Sequence, residues 1–171
     1  MNKKYNRGFI CGFFDILHDG HIDILKKAKE LCDYLIVSVG TDEFMIKRKH
    51  RKSILTYEQR IKIVKSIKYV DLVVPEENLD KIAAFKQYHF DVMFSGMDHI
   101  DEPVYIEATK RLKELGVDTI YFERTSDISS TKIRERIIEL HSWFLIHIYI
   151  FKTKIYFYLI DIHKNMRRWI L

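Results

Sequence analysis

Cysteine is scarce in this chain: Cys11 and Cys32 are the only two among 171 residues. Two thiols cannot build a disulfide framework, so a reducing compartment is expected. The first nine residues, MNKKYNRGF, lack a long apolar run. No signal peptide is read there, and a cytoplasmic location is the expectation. A GxxxxGK(S/T) stretch is missing as well, which excludes a P-loop. Most of the chain also lacks a surplus of either charge. The net charge is +5, but Lys152, Lys154, Lys164, Arg167 and Arg168 stand against Asp161 alone in residues 141–171. That leaves 24 basic and 23 acidic side chains in residues 1–140, so no nucleic-acid partner is expected.

What is present is the material of a folded domain. With 47% hydrophobic residues the chain is not disordered, and its length suits one domain with an appendage. Short apolar runs alternate with amphipathic stretches. Strands are read at Gly8–Phe14, Tyr34–Val39, Tyr69–Val74 (ended by Pro75), Val92–Ser95 and Thr119–Phe122. Helices are read at His18–Leu31, after the Thr56–Gln59 capping box, at Leu79–Tyr88, Val104–Leu115 and Ser129–Leu140, the last with Ser129 as N-cap. The basic run Lys47–Lys52 has no apolar face and reads as a loop. Such alternation predicts an α/β fold with a Rossmann-like three-layer parallel sheet. Ligands in such sheets lie beyond the strand C-terminal ends, which directs attention to the turn after the first strand.

That turn runs Gly12-Phe13-Phe14-Asp15-Ile16-Leu17-His18-Asp19-Gly20-His21. Two histidines three residues apart at a helix start share one face. The helix N-terminus adds open N–H groups and partial positive charge, and Gly12 and Gly20 let a ligand approach the main chain. Phosphate suits such a place. A structural histidine pair, or half of a metal site, fits the same spacing, although no Cys or third His stands nearby to complete a zinc set.

GFFDILHDGH resembles the G-x-F-D-x-x-H-x-G-H signature of the cytidylyltransferase-like nucleotidyltransferases. A second segment, Arg124-Thr125-Ser126-Asp127-Ile128-Ser129-Ser130-Thr131-Lys132-Ile133, resembles the R-T-x-G-I-S-T-T-K-I segment of glycerol-3-phosphate cytidylyltransferases. The resemblance covers residues 7–140 and extends to Ser38–Phe44, Tyr57–Arg60 and Tyr69–Asp71. It implies transfer of CMP from CTP to an alcohol phosphate, with Mg²⁺ accompanying CTP and no covalent enzyme intermediate. Catalytic roles are implied for His18, His21 and Arg124. Nucleotide contacts are implied for Gly12, Phe13, Phe14, Asp15, Gly20, Arg48, Arg60, Thr125, Ile128, Ser129, Ser130 and Thr131. Acceptor contacts are implied for Lys47, Asp71 and Lys81. A homodimer is implied too. Taken alone, the Lys47–Lys52 run also reads as a solvated charge run, and Ser129–Thr131 as a capped surface helix.

The chain departs from the subgroup at three places. Phe13 stands where the subgroup tends to have Thr, Asp127 replaces Gly, and Leu79-Asp80-Lys81 replaces a Trp followed by an acceptor-binding Lys. These departures touch the acceptor side more than nucleotidyl transfer. Residues 141–171 form a separate aromatic, basic tail outside the resemblance, without Gly or Pro. Lys152 and Lys154 interrupt its apolar run, which argues against a clean membrane span. A membrane-surface segment, packing onto a partner, and translation of AT-rich DNA in a shifted frame remain open for it.

Overall fold

The computed structural model describes residues 3–123 and 128–170, with side chains as far as residue 155 except Thr153. In chain order the elements are β1 (Tyr5–Gly12), α1 (Asp19–Leu31), β2 (Cys32–Gly40), α2 (Asp42–Lys49), α3 (Tyr57–Lys65), β3 (Leu72–Glu76) and α4 (Lys81–Tyr88). There follow β4 (Val92–Gly96), a 3-10 turn (Met97–His99), α5 (Pro103–Glu114), β5 (Asp118–Phe122) and α6 (Ser130–Ile170). All strand pairs are parallel, in the order β3-β2-β1-β4-β5. The order reverses between β1 and β4, so the crevice past Gly12 and Gly96 is the ligand position of this architecture.

β1 is central and buried on both faces, as parallel strands are. Successive residues serve opposite layers. Ile10 packs with Leu25, Val37, Val39 and Val64 on the α1/α3 side. Phe9 packs with Ile36, Ile82, Met93, Tyr105 and Leu112 on the α4/α5 side. Each such side chain contributes about 1.5–3 kcal/mol by leaving water.

Several segments differ from the sequence expectation. β1 ends at Gly12, because Phe13 and Phe14 are already in the turn and Phe14 takes φ 50°. β3 contains Pro75, paired in register with Val39. Edge strands tolerate a proline, and β3 is an edge. The basic run is helical through Lys49. Thr41 caps α2 by accepting from the Phe44 N–H at 3.2 Å. Acidic Asp42 and Glu43 then occupy the first turn, and Lys47, Arg48 and Lys49 the last, matching the helix dipole at both ends. The capping box at α3 is present, with Thr56 N–H donating to Gln59 Oε1 at 2.9 Å.

Residues 1–130 and 131–171 form two units. α6 passes residue 140 without a break, since no Gly or Pro follows Gly116. Trp143, Phe144, Leu145, Ile146 and Tyr149 are exposed on it. Among the described residues no helix is long and apolar enough to cross a membrane.

Arg60 pins the strand ends beneath the crevice. It is fully buried. Its guanidinium donates to Phe13 O at 2.7 Å, Gly40 O at 2.6 Å, Leu55 O at 3.1 Å and Asp42 Oδ1 at 2.6 Å. Burial alone would raise the pKa of Asp42. Bonds from Ser53, the Tyr57 N–H and Arg60 outweigh that and hold it below its ordinary 3.8. A depressed carboxylate stabilises the fold above its unfolded pKa, and this is lost as pH falls through the lower folded pKa. Arg60→Met is therefore expected to cost about 3–5 kcal/mol in urea unfolding. Asp42→Asn is expected to flatten the loss of stability below about pH 4. An unchanged acid limb in that variant would show that Asp42 is not its source.

Candidate functional site

The turn after β1 brings the two signature histidines together. His18 is the N-cap of α1, in an extended conformation (φ −140°, ψ 172°). Its carbonyl accepts from the N–H groups of His21 at 2.9 Å and Ile22 at 3.3 Å. Its own N–H donates to His21 Nδ1 at 3.4 Å. An Nδ1 that accepts leaves the neutral ring's proton on Nε2. The two rings lie 3.9 Å apart at 33°, and Phe14 packs against His21 at 5.2 Å. His18 Nδ1 is 4.0 Å from Asp19 Oδ1. Gly20 follows in the first turn of α1, its N–H donating to Asp19 Oδ1 at 2.9 Å. The arrangement offers two imidazoles and a helix N-terminus at one end of the sheet, which suits a multiply charged phosphate.

Neighbouring residues of the turn are held by packing. A Cβ on Gly12 would meet the Phe14 ring at 3.1 Å. The Phe13 ring lies over Gly40, where a Cβ would come within 2.4 Å of it, and meets Phe44 at 5.3 Å. The bulk of Phe13 is thus accommodated by a bare backbone at the end of β2. Asp15 is 2% exposed. Its Oδ1 accepts from the N–H groups of Ile54 (2.6 Å) and Leu55 (3.3 Å), and its Oδ2 from Arg51 at 3.0 Å. It anchors the segment between α2 and α3 to the signature turn.

The second motif reaches the same turn through Ser130, whose hydroxyl donates to Ile16 O at 3.3 Å. Ile128 and Ser129 are half-buried beside it in sequence, and Thr131, exposed, begins the second unit. Arg124 and Thr125 lie outside the described residues.

Several expected ligand contacts take other work. Arg60 has its donors engaged by three carbonyls and Asp42, so it positions the turn and replaces the expected nucleotide contact with a structural one. Lys81 is 3% exposed and ion-paired with Glu76, with its ammonium 5.6 Å from the Tyr105 ring centre. Burial works against that charge, but the paired Glu76 carboxylate helps to outweigh it, and the ammonium is held above its usual range. A buried, neutralised Lys81 is no open acceptor ligand. Asp71 precedes β3, at the sheet end opposite the crevice. It accepts from the Leu35 N–H at 2.6 Å and pairs with Lys29, which gives it a structural place instead of an acceptor one. Lys47 is exposed in the last turn of α2. Arg48 in that turn pairs with Glu102.

Sequence reasoning missed Arg51, Glu76, Glu102, His99 and Tyr105. None belongs to a recognisable motif: Arg51, Glu102 and Tyr105 meet partners 36 to 94 positions away, and Glu76 and His99 pair with Lys81 and Glu102 nearby in the chain. Cys11 joins this group, its Sγ 3.8 Å from the buried Tyr105 hydroxyl. Burial and the Glu76 carboxylate push the thiol up to about 11, so it stays protonated at neutral pH and is no nucleophile.

Comparison with known proteins gives the same picture. The family model described as cytidylyltransferase-like matches residues 9–136. A glycerol-3-phosphate cytidylyltransferase of Staphylococcus aureus is 40% identical over 127 residues, covering 74% of this chain and 90% of that protein. An FAD synthase of Pyrococcus horikoshii is 41% identical over 144 residues, covering 78% and 93%. Among solved structures, the lipopolysaccharide core biosynthesis protein of Thermoplasma volcanium superposes with a TM-score of 0.60 at 25% identity, covering 72% of this chain and 99% of that one. The paired histidines at the first turn, the parallel sheet around them and these matches have one reading: the chain belongs to the cytidylyltransferase-like family of nucleotidyltransferases.

Proposed function

We propose that the protein transfers CMP from CTP to glycerol 3-phosphate, giving CDP-glycerol and pyrophosphate. The observation that carries this reading is the His18–His21 pair at the N-terminus of α1. An oxygen of the acceptor phosphate attacks the α-phosphorus of CTP and forms the new P–O bond. The bond from the α-phosphorus to the bridging oxygen breaks, and pyrophosphate leaves with that electron pair. A phosphate oxygen is already nucleophilic at neutral pH, so the protein needs no strong base. Its work is to align two anions and to spread the charge that builds on the five-coordinate phosphorus. The imidazole donors of His18 and His21 and the first N–H groups of α1 serve that purpose. Arg124, matching the family's phosphate-binding arginine, is proposed to join them.

Mg²⁺ is proposed to enter with CTP. The described residues contain no group of three His, Cys, Asp or Glu that could seat a metal. Both Asp15 oxygens are already occupied. The ion is therefore assigned to the nucleotide's own phosphates, and no step is routed through a protein-held metal.

The similarity to an FAD synthase favours a second reading, adenylyl transfer from ATP to FMN. Pyrophosphate release separates the two, measured for CTP and ATP against glycerol 3-phosphate, phosphocholine, phosphoethanolamine and FMN. CTP with glycerol 3-phosphate is expected to turn over fastest; turnover only with ATP and FMN would replace the reading, and none at all would remove it. His18→Ala is expected to lower kcat about 10²–10³-fold with an unchanged unfolding midpoint. The family match stops at residue 136, so a chain cut after Leu140 is expected to keep CTP-dependent turnover. Soluble but inactive truncated protein would show that the tail matters. A homodimer is proposed, to be checked by light scattering.

A further inference from the structure

A second set of donors converges where the strand order reverses. Arg48, in the last turn of α2, and His99, ending the 3-10 turn after β4, meet on one carboxylate. Glu102 accepts from Arg48 through Oε2, and its Oε1 lies 2.8 Å from His99 Nδ1. The His99 ring is stacked on Tyr105 at 4.6 Å and 9°, and its Nε2 is 4.0 Å from Asp98. Tyr105 is buried and its hydroxyl touches Cys11, so the imidazole rests on a fixed platform.

This clasp differs from the other carboxylate–cation pair at the same end of the sheet. The Lys81–Glu76 side chains are 2% and 8% exposed, and separating them would strand a buried charge. Arg48, Glu102 and His99 are 34%, 30% and 29% exposed. Water reaches all three, and a pair so exposed adds little stability. It can be exchanged for a better anion. A phosphate monoester brings up to two charges and three oxygens to the same guanidinium and imidazole, where the carboxylate brings one charge and two oxygens.

We propose that Arg48 and His99 form the subsite for the acceptor's phosphate, and that Glu102 fills it until a phosphate monoester displaces its carboxylate. The inference rests on the reading of transfer to a phosphorylated acceptor, and it applies to glycerol 3-phosphate and FMN alike. It also gives the site a means of selection. A neutral alcohol has no charge to set against Arg48, so it leaves the Arg48–Glu102 pair closed.

The start of α5 does not need the Glu102 side chain. Its carbonyl accepts from Tyr105 and Ile106 N–H at 2.9 and 3.0 Å, and the side chain makes no cap bond. Glu102→Gln therefore removes the competing charge and keeps the helix. The full chain is titrated, without nucleotide, with inorganic phosphate and with glycerol 3-phosphate, followed by NMR at the His99 ring. Glu102→Gln is expected to bind both about three- to fivefold more tightly, the size of a half-exposed ion pair. Adding Arg48→Ala is expected to abolish the gain. Asp101→Asn removes the same charge one residue earlier and is expected to give none. Equal or weaker binding by Glu102→Gln, an equal gain from Asp101→Asn, or no response of His99 in either protein overturns the proposal. Failure of the transfer reading would appear separately, as absent turnover of the unaltered chain.

Discussion

The guanidinium of Arg60 is the contact on which the ligand end of this sheet depends. A parallel sheet leaves its strand-end carbonyls pointing into the crevice that must receive a polyanion. Those of Phe13 and Gly40 are instead bound by a buried cation, and Asp42 balances its charge. A cation suited to phosphate is used instead to fix the backbone of the signature turn. Phe14 then holds its left-handed turn, and the chain arrives at His18 in the extended geometry that opens α1.

The same division recurs around the crevice. Each pairing that holds the architecture has at least one buried member: Arg60 with Asp42, Lys81 with Glu76, Asp15 with backbone N–H groups and Arg51. In the clasp between α2 and α5 every member is about one-third exposed, while the His18 side chain at α1 is 11% exposed. Water access to every partner sets the clasp apart from these pairings. A buried pair costs several kcal/mol to open, whereas an exposed one is within reach of a competing anion. A buried partner, more than residue type, therefore marks the structural pairings here.

Much of this was legible in the sequence. The β/α alternation predicted the five-stranded parallel sheet, and Thr56–Gln59 predicted its capping box. The His18–His21 spacing predicted one shared face, which the 3.9 Å ring contact shows. The illegible parts are those where a side chain's job is set by a distant partner. Arg60, Lys81 and Asp71 carry charge suitable for phosphate or acceptor, and only tertiary contacts reveal that each is already taken. Helix α2 was hidden because its signal lies in caps and dipole-matched ends instead of an apolar stripe. In the Arg48–Glu102–His99 clasp the His99–Glu102 pair is local, but Arg48 joins it from 54 positions away.

The central claim is that this site aligns and neutralises, without forming a bond to the transferred group. Its most direct test is the stereochemistry at the α-phosphorus, followed with CTP carrying one sulfur of defined configuration there. A single in-line displacement by the acceptor phosphate predicts inversion in the nucleotidylated product. Retention of configuration would mean two displacements through a nucleotidylated side chain, and would contradict the role given to His18 and His21.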